Sequence, residues 1–467
     1  MKPLRQMLRQ TLSPSVASAV AVLCAAVFVA GAPFSAWAAG VVGTGTPDSC
    51  TDAALDAALA GGGLVTFNCG SDRATIDIST GTGTKTIAAD TIIDGGGLTT
   101  ISGGNRARVF FVNSGVNFTV ENVTIADGAE CAGGGIGNIG TLTVTNSTFT
   151  GNSAEDHGSS GIDGCSGGAI VNEPGGTVTV TNSTFTGNSA FDGHGGAIWG
   201  APGAQTLTVT NCTFTGNRAL WGGAITNAGG ETLTVTNSTF TGNSAGYEGR
   251  VGGGIILIGT SAVFRNTIVA NNTGGNCSID PGLVIEDDGH NLDDGTSCGF
   301  SAANGSLSNT DPQLDPAGLR DNGGPTQTVA LCTGPDDPAG CQGASPAINA
   351  GDQAICAAAP VNHLDQRGFW RPGGCASNCS IGAYEVGDTL PICEGDCDGN
   401  RRVTVDELIE GVNIALGTAP LTDCLPFDCQ SAPDVLVACV VQAVNAALDG
   451  VCIVLPPFQF EGCPGSK

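Results

Sequence analysis

Two groups of residues in this 467-residue chain have the types and spacing to do chemistry. The first lies in residues 396–407, DCDGNRRVTVDE. Asp396, Asp398 and Asn400 alternate, Arg402 offers a main-chain carbonyl, Thr404 follows, and Glu407 closes the loop. Alternating oxygen donors that end on a bidentate Glu form the ring that a hard calcium ion takes. Arg401 stands where Gly normally makes the sharp turn, and a side chain at positive φ costs about 1 kcal/mol, so the expected affinity is modest. The segment recurs 32 residues later, with Asp428, Val444 and Asn445 matching Asp396, Val412 and Asn413. Cys439 replaces Glu407 there, so only the first loop is expected to bind metal.

The second group sits in variable loops. Asp156, His157 and Asp163 lie in EDHGSSGIDGC (155–165), and Asp192 and His194 in the next loop, with Glu130, Arg218, Trp221, Tyr247, Glu248 and Arg250 at related places. A pair of carboxylates would suit glycoside hydrolysis. A base beside a cation would suit elimination from an acidic sugar. The plainer reading is that these loops are only solvated. No Ser/His/Asp triad, phosphate-binding loop or Cys/His zinc spacing occurs, and no Lys lies between residues 86 and 466. Catalysis is therefore the second reading.

Those loops hang from a repeat. TLTVTNSTFTGNSA begins at Thr141, with close copies at Thr177, Thr206 and Thr232 and looser ones at Asn117 and Ser261. The central Asn falls at 122, 146, 182, 211, 237 and 266, in steps of 24, 36, 29, 26 and 29 residues. A constant motif at uneven spacing is a solenoid with fixed walls and variable loops. Leu142 and Val144 share one face by the two-residue period of a strand, and Phe149 breaks that period, so a corner lies between Asn146 and Phe149. A Gly-Gly-x-Ile motif precedes each copy, its Ile at 136, 170, 198, 225 and 255. Three short walls per coil, carrying Ile, Leu-x-Val and Phe, predict an all-β, right-handed parallel β-helix with a small α-helical, disulfide-rich C-terminal domain. Phe149, Phe185, Phe214 and Phe240 are expected to stack inside, and Asn146, Asn182, Asn211 and Asn237 to form an amide ladder. The Asn-x-Thr sequons at these positions then need no glycan.

Residues 51–60 (TDAALDAALA) read as an amphipathic helix capping the first rungs. Lys2, Arg5 and Arg9, an apolar stretch and Ala36-Trp37-Ala38 predict a signal peptide over 1–38, hence an extracellular or bacterial cell-surface protein. No later segment is long and apolar enough to be a transmembrane helix. The chain carries −27, and −30 without residues 1–38 (13 Lys+Arg against 43 Asp+Glu), which argues against nucleic acid or anionic lipid as a partner. Nineteen Cys remain after residue 38, an odd number, and an exported chain uses them as disulfides. Cys131–Cys165 is expected to bridge adjacent rungs, Cys50–Cys69, Cys277–Cys298 and Cys332–Cys341 to close local loops, and Cys212 to stay free.

NTDPQL (309–314), DNGGPTQT (321–328), SPAINAGD (345–352), DQRG (365–368), Arg371-Pro372 and IGAYE (381–385) resemble the choice-of-anchor Q region of bacterial surface β-helix proteins. That resemblance implies export and an ordered C-terminal cap. Within it, Asp365, Arg367, Arg371 and Glu385 are expected to be a structural ion-pair network. The duplicated segment near the C-terminus looks like an EF-hand pair or a dockerin, which implies calcium and a cohesin-like partner. The expected layout is 39–265, β-helix with its N-terminal cap; 266–386, C-terminal β-helix and choice-of-anchor Q region; 387–392, linker; 393–467, calcium module. The expected function is binding, adhesion or a structural coat, with a polysaccharide or cell-surface ligand. The alternative is a polysaccharide lyase or glycoside hydrolase of the pectin lyase-like fold, although no pectate lyase or polygalacturonase signature is present.

Overall fold

The computed structural model describes residues 40–155, 165–228, 232–246, 252–373, 376–387 and 405–415. The repeats stack as a parallel β-solenoid of about 9 turns. Thr141–Thr145, Thr177–Thr181, Thr206–Thr210 and Leu233–Thr236 pair in register, with Leu142, Val178, Leu207 and Leu233 aligned. The Ile wall is an eight-stranded sheet from Lys85–Ile87 to Cys277–Ile279 among the described residues. Register is strict because the Leu, Val, Ile and Phe columns are all fully buried, and a one-residue slip would turn each outward.

Phe149, Phe185, Phe214 and Phe240 form the expected stack, with ring centroids 4.8, 4.7 and 4.6 Å apart and planes within 7° of parallel. Strand spacing of about 4.8 Å imposes this face-to-face arrangement. Each pair adds roughly 0.5–1.5 kcal/mol beyond burial. The Gly-Gly motif is a packing requirement: a Cβ on Gly196 would lie 2.2 Å from the carbonyl oxygen of Gly223 in the next rung.

The amide ladder differs from expectation. Among the corner residues, Asn146 Nδ2 donates to Asn122 Oδ1 (3.3 Å) and Asn211 Nδ2 to Asn182 Oδ1 (3.2 Å), while Asn237 and Asn266 turn to other partners. These residues instead make the corner itself, with φ between 46° and 52° from Asn122 to Asn266. Asn tolerates that left-handed conformation better than most residues. The continuous ladder is built by the second Asn of each repeat. Asn152, Asn188, Asn217, Asn243 and Asn272 are linked Nδ2 to Oδ1 at 2.9 Å, and each Oδ1 also accepts the main-chain N–H of the preceding member. That column points inward, where four of the five are fully buried and an unpaired amide would be costly.

The N-terminal end is capped as expected by the helix Asp52–Leu59, whose N-cap Thr51 accepts from Ala54 N–H. Lys85, 3% exposed, pins it through Asp56 (2.7 Å) and Asp52. The other region behaves differently from a plain end cap. The last rung strand is Leu307–Ser308, after which the chain folds back along the flank of the solenoid. This strap contains the antiparallel pair Leu314–Arg320 and Thr328–Leu331 and the helix Gln353–Ala357. Asn266 binds Asp352, Asn211 binds Leu364, and Asn182 binds Thr326. The reason is local: corner amides and Thr hydroxyls form a hydrogen-bonding stripe that an extended chain can satisfy.

Asp365, Arg367, Arg371 and Glu385 hold this strap together. Arg367 pairs with Asp365 at 2.8 Å, donates to Asn322 and Glu385 carbonyls, and lies between the rings of Phe369 (4.2 Å) and Tyr384 (3.8 Å). Arg371 donates to the carbonyls of Ser380 and Gly382 and meets Glu385 at 3.4 Å. Burial pushes the Glu385 carboxyl up, with Arg371 and Ser380 opposing it. The four anticipated disulfides are present, and Cys212 is free and buried. Cys356–Cys379, which spacing had not suggested, closes a loop of the strap.

Candidate functional site

The variable loops leave the solenoid beside a narrow four-stranded sheet made of Ser153–Ala154, Ser189–His194, Arg218–Trp221 and Ser244–Ala245. Ala154, Ala190 and Ala219 stack under it against Cys165, and the Cys131–Cys165 bridge ties the first two rungs at a Cα separation of 4.4 Å. Ser189–His194 carries two more residues than its neighbour Arg218–Trp221. Pairing slips after Ala190, so that His194 aligns with Trp221. Such a bulge bends the strand and re-aims side chains.

Phe191 is thrown outward, 62% exposed, with the Arg218 guanidinium 5.4 Å from its ring centre. Phe191, Asp192, Arg218, Leu220 and Trp221 line a groove of about 500 Å³, with Gly246 at its edge. His194 lies behind, its ring 4.5 Å from Trp221 and 6.3 Å from Trp199. Burial lowers its pKa, and Nδ1 has no hydrogen-bond partner. The two described candidates from the sequence therefore have different settings. Asp192 is exposed in the groove, and His194 is stacked among tryptophans.

Asp156, His157, Asp163, Tyr247, Glu248 and Arg250 lie outside the described residues. So do Asp396, Asp398, Asn400, Arg402 and Thr404 of the calcium loop. Glu407 falls within the helix Val405–Ala415, which agrees with helical periodicity following the loop; its side chain is outside the description. Among the described residues no cluster of three His, Cys, Asp or Glu could hold a metal ion, and no helix is long and apolar enough to cross a membrane.

Sequence reasoning named Arg218 and Trp221 but missed Phe191 and Trp199. The available signal was Ala190-Phe191-Asp192-Gly193, where an aromatic residue and two added positions interrupt the step from Asn188 to Gly195-Gly196.

With this geometry in hand, the right handed beta helix region model matches residues 72–274. The class is thus a parallel β-helix protein with a groove on its loop-bearing edge. No curated protein and no solved structure matches the chain.

Proposed function

We propose that this is an exported, surface-associated β-helix protein that binds polysaccharide along the edge groove. The observation that carries this reading is the solvent-facing Phe191, flanked by Arg218, Asp192 and Trp221. Aromatic faces stack on the apolar faces of sugar rings, while Arg and Asp supply orienting hydrogen bonds. Arg218 suits a carboxylate-bearing sugar in a protein whose net charge is −27.

Export rests on the N-terminal segment and on the choice-of-anchor Q resemblance of residues 266–385, which also implies an ordered C-terminal cap. The 393–467 module adds calcium binding through Asp396, Asp398, Asn400, Arg402, Thr404 and Glu407, in a dockerin-like pair that would meet a cohesin-like partner. The donor set is all oxygen, as calcium requires. Asp192 in the groove favours one second reading, a lyase or hydrolase on the same chain.

The test uses residues 39–467 with calcium present and a panel of acidic and neutral polysaccharides, read by affinity electrophoresis and by release of unsaturated or reducing ends. Retardation lost in Phe191→Ala and Trp221→Ala, without product, supports binding. Product abolished by Asp192→Ala moves the protein to the enzyme class. No retardation and no product from folded protein refutes the groove. Calorimetric titration tests the metal: wild type should bind calcium, and Glu407→Ala should not.

A further inference from the structure

The strap leaves two corners of the solenoid uncovered, and the covered ones show what the corner recognises. At four successive rungs the corner Asn or the Thr beyond it grips the strap. Asn266 pairs with the main chain of Asp352 in both directions, accepting its N–H at 2.8 Å and donating to its C=O at 3.1 Å. One rung on, Thr239 Oγ1 accepts the N–H of Ala383 (3.0 Å). Next, Asn211 Nδ2 donates to the carbonyl of Leu364 (3.0 Å), and Thr213 Oγ1 to Gln366 Oε1 (2.6 Å). Then Thr184 Oγ1 donates to the carbonyl of Gln327 (2.6 Å), and the Asn182 carbonyl accepts Thr326 Oγ1 (3.0 Å). Thr184, Thr213 and Thr239 are buried as a result.

The strap turns back at that rung, yet the motif continues. Asn146-Ser147-Thr148 and Asn122-Val123-Thr124 repeat the corner, with φ of 48° and 52° at the two Asn residues. Asn122, Val123, Thr124, Asn146 and Thr148 line a cleft of about 240 Å³ together with Asp321 and 324–327 of the strap and Arg73. Thr124 and Thr148 stay half-exposed, and their hydroxyls meet no hydrogen-bond partner among the described residues.

We propose that this cleft binds a short, extended, uncharged stretch of polypeptide from a partner, held at the two corners next to those that separate passes of the strap cover. The occupant is a polypeptide because each of the four covered rungs holds at least one main-chain N–H or C=O group of the strap, with the side chains of Gln366 and Thr326 beside them. Two open rungs span about 9.6 Å, the length of three extended residues. Thr148 and Thr124 would donate to carbonyls as Thr184 does to Gln327. The site is separate from the edge groove and does not depend on the polysaccharide reading.

The experiment uses the full chain and a blocked peptide, acetyl-GGPTQTVA-amide, which copies residues 323–330 of the strap. Binding is followed by ligand-observed NMR and titration calorimetry. Wild type should bind saturably, and Thr124→Val/Thr148→Val should weaken binding by about tenfold or more, since two hydroxyl hydrogen bonds are lost. Thr124→Ser/Thr148→Ser keeps the hydroxyls and should bind like wild type, which controls for folding. Undiminished binding to the Val variant would mean that the peptide displaces the strap at Asn182 and Thr184, and would overturn the proposal. No peptide binding to wild type would overturn it too, as would a neutral oligosaccharide such as cellotetraose binding there in the peptide's place.

Discussion

Asn188→Ala tests whether the inward amide column holds the solenoid together. Asn188 donates from Nδ2 to the Phe149 carbonyl (3.0 Å) and to Asn217 Oδ1 (2.9 Å). Its Oδ1 accepts the Asn152 N–H (3.1 Å) and Asn152 Nδ2 (2.9 Å). Two of the groups left behind keep a partner: Asn152 Nδ2 still reaches the Ile125 carbonyl, and Asn217 Oδ1 still accepts the Asn188 N–H. The Asn152 N–H loses its partner in a fully buried setting, while the Phe149 carbonyl falls back on the strand ladder with Thr184–Thr186. The orphaned N–H costs about 1–3 kcal/mol, so the variant should lose about 2–4 kcal/mol once the weakened carbonyl and the small cavity are added. A solenoid loosens by neighbouring rungs, so hydrogen exchange is the right assay. Protection at Asn152 and in the flanking Phe strands should fall by about a hundredfold or more, while the cap around Cys50–Cys69 stays unchanged. Thr181→Ala, at a half-exposed outward position, is the control and should change little. A fall of less than about fivefold at Asn152, or an equal fall in the control, would refute the reasoning.

Three further outcomes are expected. Lys85→Met leaves Asp52 and Asp56 facing each other under the capping helix, which should cost roughly 3 kcal/mol and expose a strand end, read as lower thermal stability and new oligomers in size-exclusion chromatography. His194 is held below its ordinary pKa of 6.5 by burial, so the unfolded chain binds a proton that the folded chain resists; stability present above pH 6.5 should be lost as pH falls toward the folded pKa, and His194→Phe should flatten that part of a urea-midpoint profile between pH 7.5 and 5.5. Burial pushes the Cys212 thiol up to about 12, so iodoacetamide should leave it unlabelled in native protein at pH 8 and label it in denaturant, as read by peptide mass mapping.

Much of the fold was legible because a solenoid repeats its constraints. The positions of Leu142, Val144, Phe149 and Ile136 recur as buried apolar residues from rung to rung, and one arrangement buries all four columns. The Cys131–Cys165 bridge followed from equal offsets in adjacent rungs, and Cys212 from its lack of a neighbour. The amide ladder was misassigned because both Asn columns share one period, and only the backbone shows that Asn146 takes φ of 48° at the corner while Asn152 points inward.

The candidate site was legible in part. Arg218 and Trp221 stand out by type, but the role of Phe191 depends on the slip in pairing after Ala190, which no local pattern encodes. By itself the sequence determined the rung, its walls and four of the five described disulfides, because each is a matter of period or short spacing. Tertiary structure alone decided that the described residues of 309–387 lie along the flank, binding Asn182, Asn211 and Asn266. Those contacts join residues 86 to 153 positions apart. A hydrogen bond between such distant partners has no period to announce it, and it exists only once the rungs have stacked and left their corners open.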